Sequence, residues 1–386
     1  MGKIDKICFF GKLYLSMLNK RDKNLIVFGS WFGEKFADNS KALFLYALKN
    51  GRNAVWITKN EDVYSKMKDE GYPVEMAYSK KGIAVCSKAG YVVYSTGQRD
   101  VNENCIGGAV LINLWHGIPL KKIMHDDRIS TDRTKIKARI QDAILKIPYK
   151  KEYIFSTSDR ISEIYTSAFK TDINHIIQIG QVRNDCFFNG QMKKKIYGNN
   201  IAYEKLVVYM PTHRNAGKTA IEIDKIFDLE KLNQYCQKNK CLFMIKKHFY
   251  HKNEVVDLSK YSNIVDYTNL DCDTQELLFN ADVLITDYSS CYIDYLLLDK
   301  PVIFYCYDYA NYLENDRDMY FEYDSVTPGP KVKDKNDFLV ALNSSLYGNS
   351  EYRDKIQEVK NLLYSKDNQC AVCEKTLLEM DKIDEK

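Results

Sequence analysis

The chain has 386 residues, 45% of them hydrophobic and 28% charged. That length and apolar share exclude wholesale disorder and allow two or three domains at about 150 residues each. With 56 Lys+Arg against 52 Asp+Glu the net charge is +4, too small for a dedicated nucleic-acid binder unless segregated along the chain.

The first 24 residues carry six basic and two acidic side chains among Ile4, Ile7, Phe10, Leu13, Tyr14, Met17 and Leu18. No uninterrupted apolar core or cleavage site makes this a signal peptide. It reads as an amphipathic helix, packed on the body of the protein or lying on a membrane surface. From Leu25 onward, short apolar runs alternate with helical stretches. Strands are predicted at Leu25–Phe28, Ala54–Ile57, Tyr91–Tyr94, Val110–Leu114, Tyr153–Phe155 and Ile176–Ile179. Helices are predicted over 39–50, 61–70 and 158–169. Four-residue apolar runs without alternation suit strands buried on both faces, and strands interleaved with helices imply a parallel sheet.

Residues 121–151 hold ten basic side chains against four acidic ones. They read as a solvated helical face or as a patch for an anionic lipid or phosphate-bearing acceptor. The polar, Gly/Asn-rich stretch 189–200 marks a domain boundary. The rhythm then restarts. Strands are predicted at Leu206–Met210, Leu242–Ile245, Ile264–Val265, Val283–Thr286 and Val302–Tyr305, with helices near 229–238, 273–281, 289–298 and 335–346. Residues 351–382 read as a last long helical segment. The expected fold is α/β, with two Rossmann-like doubly wound domains facing a central cleft. The predicted division is 1–24, 25–188, 201–350 and 351–386.

Eleven cysteines are scattered from Cys8 to Cys373, without the dense even spacing of a disulfide scaffold. Cys370 and Cys373 form a lone Cys-x-x-Cys, read as helix packing, and no metal site or cofactor is predicted.

Six histidines allow each to be weighed. His116 follows a strand on the turn Trp115–Lys121 and is a candidate general base, or a satisfied turn histidine. His248 follows Lys246 and Lys247 at another strand end, a cationic spot suited to phosphate. His213 lies in Pro211–Arg214, where Pro211 and Thr212 form a turn. After the strand at Val283–Thr286, Ser289 and Ser290 open a helix and either cradle a phosphate or cap the helix. Asp294, one turn on, is a candidate acceptor for a polyol or ribose hydroxyl. Arg183 and Arg317 are further candidate cations. There is no GxxxxGK[ST], GxSxG, HExxH or strand-end Asp-x-Asp motif.

Taken together, Trp115–Lys121, Gly180–Asp185, Pro211–Arg214, Lys247-His248, Thr286–Ser290 with Asp294, and Tyr320–Tyr323 with Pro328–Pro330 resemble the CDP-glycerol glycerophosphotransferase family of teichoic-acid primases and polymerases. Ile118 stands where that family usually has Thr, Gln181-Val182 replaces Tyr-Pro, and His213 replaces an aromatic. The resemblance implies a GT-B-like fold attached peripherally to the cytoplasmic face of the membrane, and the basic N-terminal segment and residues 121–151 make an anionic lipid surface the expected partner. It implies transfer of glycerol phosphate from CDP-glycerol to a hydroxyl of a lipid-linked or polymeric glycan, of teichoic-acid or capsule type, with release of CMP. His116 is then the base. Gly117, Ile118, Pro119 and Leu120 are substrate contacts of the same motif. The donor pyrophosphate lies near Lys247, His248, Ser289 and Ser290, and Arg183, Pro211, Thr212 and Asp294 match other donor contacts. CDP-ribitol as donor, a nucleotide-sugar glycosyltransferase and a catalytically silent envelope-assembly protein are the alternatives.

Overall fold

The structure is a computed structural model that describes residues 3–127, 143–190, 192, 195, 197, 201–214, 217–248, 251, 253–254, 256–270, 272–309, 312, 318–348 and 351–384. The chain forms two compact units. Unit 1 comprises Met1–Gly117, Met124–Asp185 and Tyr364–Lys386, and unit 2 comprises Ile118–Ile123 and Cys186–Leu363.

Among the described residues of unit 1, seven strands form one parallel sheet. They are β1 (Asp22–Phe28), β2 (Asn53–Thr58), β3 (Val74–Met76), β4 (Ala89–Tyr94), β5 (Val110–Asn113), β6 (Glu152–Ser156) and β7 (Ile176–Gln178), in the order β3-β2-β1-β4-β5-β6-β7. Val27 pairs with Val92, and Phe28 with Val93, across β1 and β4. Ile26, Phe28, Tyr91 and Val93 enter the core on one face; Leu25, Val27, Val92 and Tyr94 enter the core on the other. Both faces being covered explains the apolar runs without alternation. The sequence reading missed β3 and the helix Lys80–Lys88. Val-Glu-Met is too short to show a period, and Lys-Lys-Gly is a weak helix start.

Unit 2 repeats the plan with β8 (Lys205–Tyr209), β9 (Cys241–Ile245), β10 (Ile264–Asp266), β11 (Val283–Thr286), β12 (Val302–Tyr305) and β13 (Lys331–Val332), in the order β10-β9-β8-β11-β12-β13. Aspartates cap three of its helices. Asp228 accepts from Lys231 N, Asp273 from Gln275 N and Asp334 from Asn336 N. Each sheet order reverses once, between β1 and β4 and between β8 and β11. In such sheets ligands bind at the carboxyl ends of the strands beside that reversal.

Three expectations are corrected. Residues 351–382 do not form one helical segment. Arg353–Leu363 and Val372–Asp384 are separate helices, and the first belongs to unit 2 while the second belongs to unit 1. The break is held by specific bonds. Ser365 N donates to Thr157 O (2.9 Å), Asn184 Nδ2 donates to Tyr364 Oη (3.2 Å), and Ala371 turns left-handed at φ 54°. Gly180, at φ +123°, lies so close to this stretch that a Cβ would sit 2.4 Å from Asn368 O. The predicted boundary at 189–200 also differs from the point where the compact units part, between Asp185 and Cys186. The helix expected over 289–298 is shorter. It spans Cys291–Tyr295 and tightens to a 3₁₀ turn at Leu296–Leu298.

The amino-terminal helix Lys3–Ser16 packs on unit 1 through Leu13, which is fully buried in the core under β1, β4 and β5. Ser16 Oγ accepts from Gly107 N at 2.9 Å. Ile7 and Leu15 face solvent, as does Leu18 just past the helix. Within the basic stretch, residues 128–142 lie outside the described residues, as does Arg317. No helix among the described residues is long and apolar enough to cross a membrane.

Candidate functional site

In unit 1, β5 delivers its end to a strained turn. Trp115 is left-handed at φ 50°, which costs a non-glycine residue about 1–2 kcal/mol. The turn is held on both sides. Trp115 N donates to Asn113 Oδ1 (3.0 Å), and Asn39 Nδ2 donates to Trp115 O (2.9 Å). Asn39 is itself fully buried, and its Nδ2 also donates to Gln181 Oε1 at 2.6 Å. Gly117 follows at φ 142°, a conformation open to glycine.

This turn presents His116. Its Nδ1 lies 3.1 Å from the carbonyl oxygen of Ser95, at the end of β4. A carbonyl oxygen only accepts, so Nδ1 carries the proton and Nε2 of the neutral ring keeps its lone pair. The Trp31 ring lies 5.8 Å away and the Trp115 ring 4.3 Å away, centroid to centroid. Burial, the largest influence, holds the imidazole below its ordinary pKa; Asp38 and the Ser95 bond pull it upward, and Arg183 adds to the depression.

Arg183 is brought to His116. Its Nη1 donates to Asp38 Oδ1 (2.6 Å) and to His116 O (2.9 Å), while its backbone N–H donates to Asn39 Oδ1 (3.0 Å). Asp185 accepts from Val372 N (2.8 Å) and Cys373 N (2.7 Å), capping the carboxyl-terminal helix. Cys373 packs in that core and Cys370 is exposed.

The His116 motif is divided between the two units at Gly117. Ile118, Pro119 and Leu120 are buried, and Leu120 O accepts from Tyr320 N at 2.8 Å. Lys122 N donates to Asp318 O at 2.7 Å, and Lys121 bonds the Tyr312 hydroxyl. These residues dock on the segment 318–320 of unit 2.

In unit 2 the carboxyl ends of β8, β9, β11 and β12 gather a second set. Asp287 joins them. Its Oδ1 accepts from Thr212 N (2.8 Å), Thr212 Oγ1 (2.6 Å) and Tyr288 N (2.6 Å), and its Oδ2 accepts from Arg214 Nη2 (2.8 Å). Arg214 Nε reaches Asp308 Oδ2 at 2.7 Å, and the guanidinium lies 5.1–5.5 Å from the centroids of Tyr288, Tyr307 and Tyr312. The Pro211-Thr212 turn is thereby tied through Thr212 to Asp287, two residues before Ser289; Ser289 and Ser290 are both half-buried. Ser289 Oγ accepts from Cys291 N at 3.4 Å, whereas Ser290 makes no side-chain cap bond. His248 lies beside His213, ring centroids 5.1 Å apart.

The two lysines expected to meet phosphate have other partners. Lys246 Nζ donates to Tyr267 O (3.0 Å) and Leu270 O (2.5 Å). The Lys247 side chain is fully buried, with Nζ 3.0 Å from Glu254 O, 3.5 Å from Glu254 Oε2 and 3.9 Å from Asp266 Oδ2. An ammonium enclosed by two carboxylates holds the turn together. Asp294 is 3% exposed, and its Oδ2 accepts from Gln275 Nε2 at 3.1 Å.

Sequence reasoning missed Asp38, Asn39, Ser95 and Asp100 in unit 1 and gave no role to Arg214, Asp287 or Asp308 in unit 2. The available signal was position. Ser95, Arg214, Asp287 and Asp308 all lie within five residues after a strand whose carboxyl end belongs to the ligand-binding edge.

Residues 12–372 match the family model of CDP-glycerol:poly(glycerophosphate) glycerophosphotransferases. The chain is 29% identical over 343 residues to a teichoic acid poly(glycerol phosphate) polymerase of Bacillus spizizenii, covering 84% of each chain. It is 27% identical over 369 residues to a teichoic acid glycerol-phosphate transferase of Staphylococcus aureus, covering 89% of each. Among solved structures, the wall teichoic acid polymerase TagF superposes with a TM-score of 0.78 at 26% identity, covering 99% of this chain and 95% of that one.

Proposed function

The chain belongs to the CDP-glycerol:poly(glycerophosphate) glycerophosphotransferase family, and we propose that His116 is the general base with which it transfers glycerol phosphate from CDP-glycerol to a hydroxyl of a teichoic acid polymer. The acceptor hydroxyl attacks the β-phosphorus in line. A new O–P bond forms, the bond to the bridging oxygen breaks, CMP leaves, and the hydroxyl proton passes to Nε2 of His116. The observation that carries this assignment is the bond from His116 Nδ1 to Ser95 O, which leaves the lone pair on Nε2.

Unit 2 supplies the donor site in this reading. Charge stabilisation on the phosphates is the dominant contribution in phosphoryl transfer. We assign it to His248, to the hydroxyls of Ser289 and Ser290, and to the Pro211-Thr212 turn that Asp287 fixes. Lys246 and Lys247 tie the loop after β9, which carries His248, to Tyr267, Leu270, Glu254 and Asp266. The amino-terminal helix, with Ile7 and Leu15 outward, and the basic stretch 121–151 are assigned to peripheral contact with an anionic membrane face. A capsule-type glycan is the alternative acceptor.

The test is CMP release by purified enzyme supplied with CDP-glycerol and a glycerol phosphate oligomer, with CDP-ribitol and UDP-sugars in parallel. Removal of a general base lowers the rate by about 10²–10⁴-fold. His116→Ala is expected to lose that much kcat while binding CDP-glycerol normally; near-normal CMP release from this variant would overturn the assignment. Faster turnover of CDP-ribitol or a UDP-sugar would overturn the choice of donor.

A further inference from the structure

A buried carboxylate lies one step removed from His116. Asp100 is fully buried, in the loop that follows β4, and touches none of the groups assigned to substrate. Its carboxylate collects donors from two loops. Oδ2 accepts from Ser95 N (3.0 Å) and Thr96 N (2.8 Å), and Oδ1 accepts from Phe32 N (2.7 Å) and from the Thr96 hydroxyl.

The bond to Thr96 N–H has a geometric consequence. The peptide unit joining Ser95 to Thr96 is planar and trans, so its N–H and C=O point in opposite directions. Pinning the Thr96 N–H on Asp100 therefore aims the Ser95 carbonyl away from Asp100, and that carbonyl is the acceptor for His116 Nδ1. Ser95 is fixed on its side-chain end as well, since its Oγ accepts from Ser40 N (3.1 Å) and lies 2.7 Å from Ser40 Oγ. The bond to Phe32 N serves the same site. Trp31 and Phe32 are consecutive left-handed residues at φ 48° and 60°, and the Trp31 ring stands 5.8 Å from His116. Strained backbone of this kind persists only where its surroundings over-determine it.

Four donors on one buried carboxylate exceed what a simple turn requires. We propose that Asp100 is a positioning residue for His116: through the Ser95–Thr96 peptide it holds the Ser95 carbonyl that keeps the proton on Nδ1, and through Phe32 it holds the aromatic wall beside the ring. The proposal rests on the reading of His116 as the base, but its first readout does not depend on that reading. An unconstrained neutral imidazole exchanges between two tautomers, and the partner of one nitrogen decides which is populated.

The experiment is ¹⁵N spectroscopy of the histidine side chains in the full chain, with His116→Ala identifying the signal, combined with kcat, acceptor KM and CDP-glycerol affinity. In the wild type, Nδ1 of His116 is expected protonated and Nε2 unprotonated. In Asp100→Asn an amide nitrogen faces N–H donors, the Ser95–Thr96 peptide loses its anchor, and the signal is expected to move to a mixture of tautomers. A misplacement of this kind costs about 10–100-fold in kcat, with CDP-glycerol affinity unchanged. Thr96→Val removes one donor and leaves the carboxylate satisfied by the other three, so the same shift is expected to be smaller; it decides the matter if Asp100→Asn does not fold. An unchanged tautomer in the folded variants, or donor affinity falling in step with kcat, overturns the proposal. Turnover by His116→Ala would instead overturn the base assignment and leave the tautomer measurement standing.

Discussion

His116 takes its chemistry from its neighbours. The Ser95 carbonyl gives it a direction, and burial gives it a depressed pKa. A base whose pKa is lowered stays neutral, and so competent, further into the acid range. The acid limb of kcat/KM is therefore expected below the ~6.5 of a free imidazole, the rate falling only as pH drops through that lower value. A pH series of kcat/KM for CMP release checks this, and a midpoint above 6.5 would contradict it. Lys247 also takes its surroundings from a distance. A lysine before a histidine at a strand end reads equally as a phosphate ligand or as an internal cation, and its ammonium meets Glu254 and Asp266, which approach from seven and nineteen residues away.

Among the elements, the strands were the most legible. Runs such as Leu242–Ile245 and Val283–Thr286 are buried on both faces, and burial on both faces is what leaves an apolar run without alternation. The last helix was the least legible. Val372–Asp384 continues a helical pattern from Arg353, yet it lies on unit 1, where Leu377 and Met380 enter the core and the Tyr91 hydroxyl donates to Met380 O at 2.8 Å. Its amphipathic face shows that it packs, and says nothing of what it packs on. Leu377 is 5% exposed, so Leu377→Ala is expected to destabilise unit 1 by about 2–5 kcal/mol, as large-to-small core changes do. Urea unfolding followed by probes in each unit would show it. A loss confined to unit 2 would contradict the placement of the helix.

At the scale of the whole molecule, the small net charge conceals segregation, since residues 121–151 carry ten basic side chains against four acidic ones. Ile7, Leu15 and Leu18 are 72%, 65% and 82% exposed in a segment that also carries Lys12 and Lys20. Recruitment to vesicles containing anionic lipid is expected to exceed recruitment to neutral vesicles at low salt, and to fall as ionic strength shortens the screening length. Co-sedimentation across a salt series measures this. Equal binding to both vesicle types at low salt would remove the electrostatic part of the membrane assignment.

By itself the sequence determined two parallel-sheet α/β units, their family, and the strand ends from which His116, His248, Thr212 and Ser289 emerge. Those features are local: burial leaves its mark on four consecutive residues, and a motif on seven. Only the tertiary structure decided which polar side chains support the site. Asp38 and Asn39 meet Arg183 across more than 140 residues, Asp287 meets Thr212 across 75, and Asp185 caps a helix that begins at Val372. No short-range pattern records such a bond, because each partner alone is an ordinary loop aspartate or asparagine. The folded sheet order, which brings distant strand ends to one edge, is what gives them their roles.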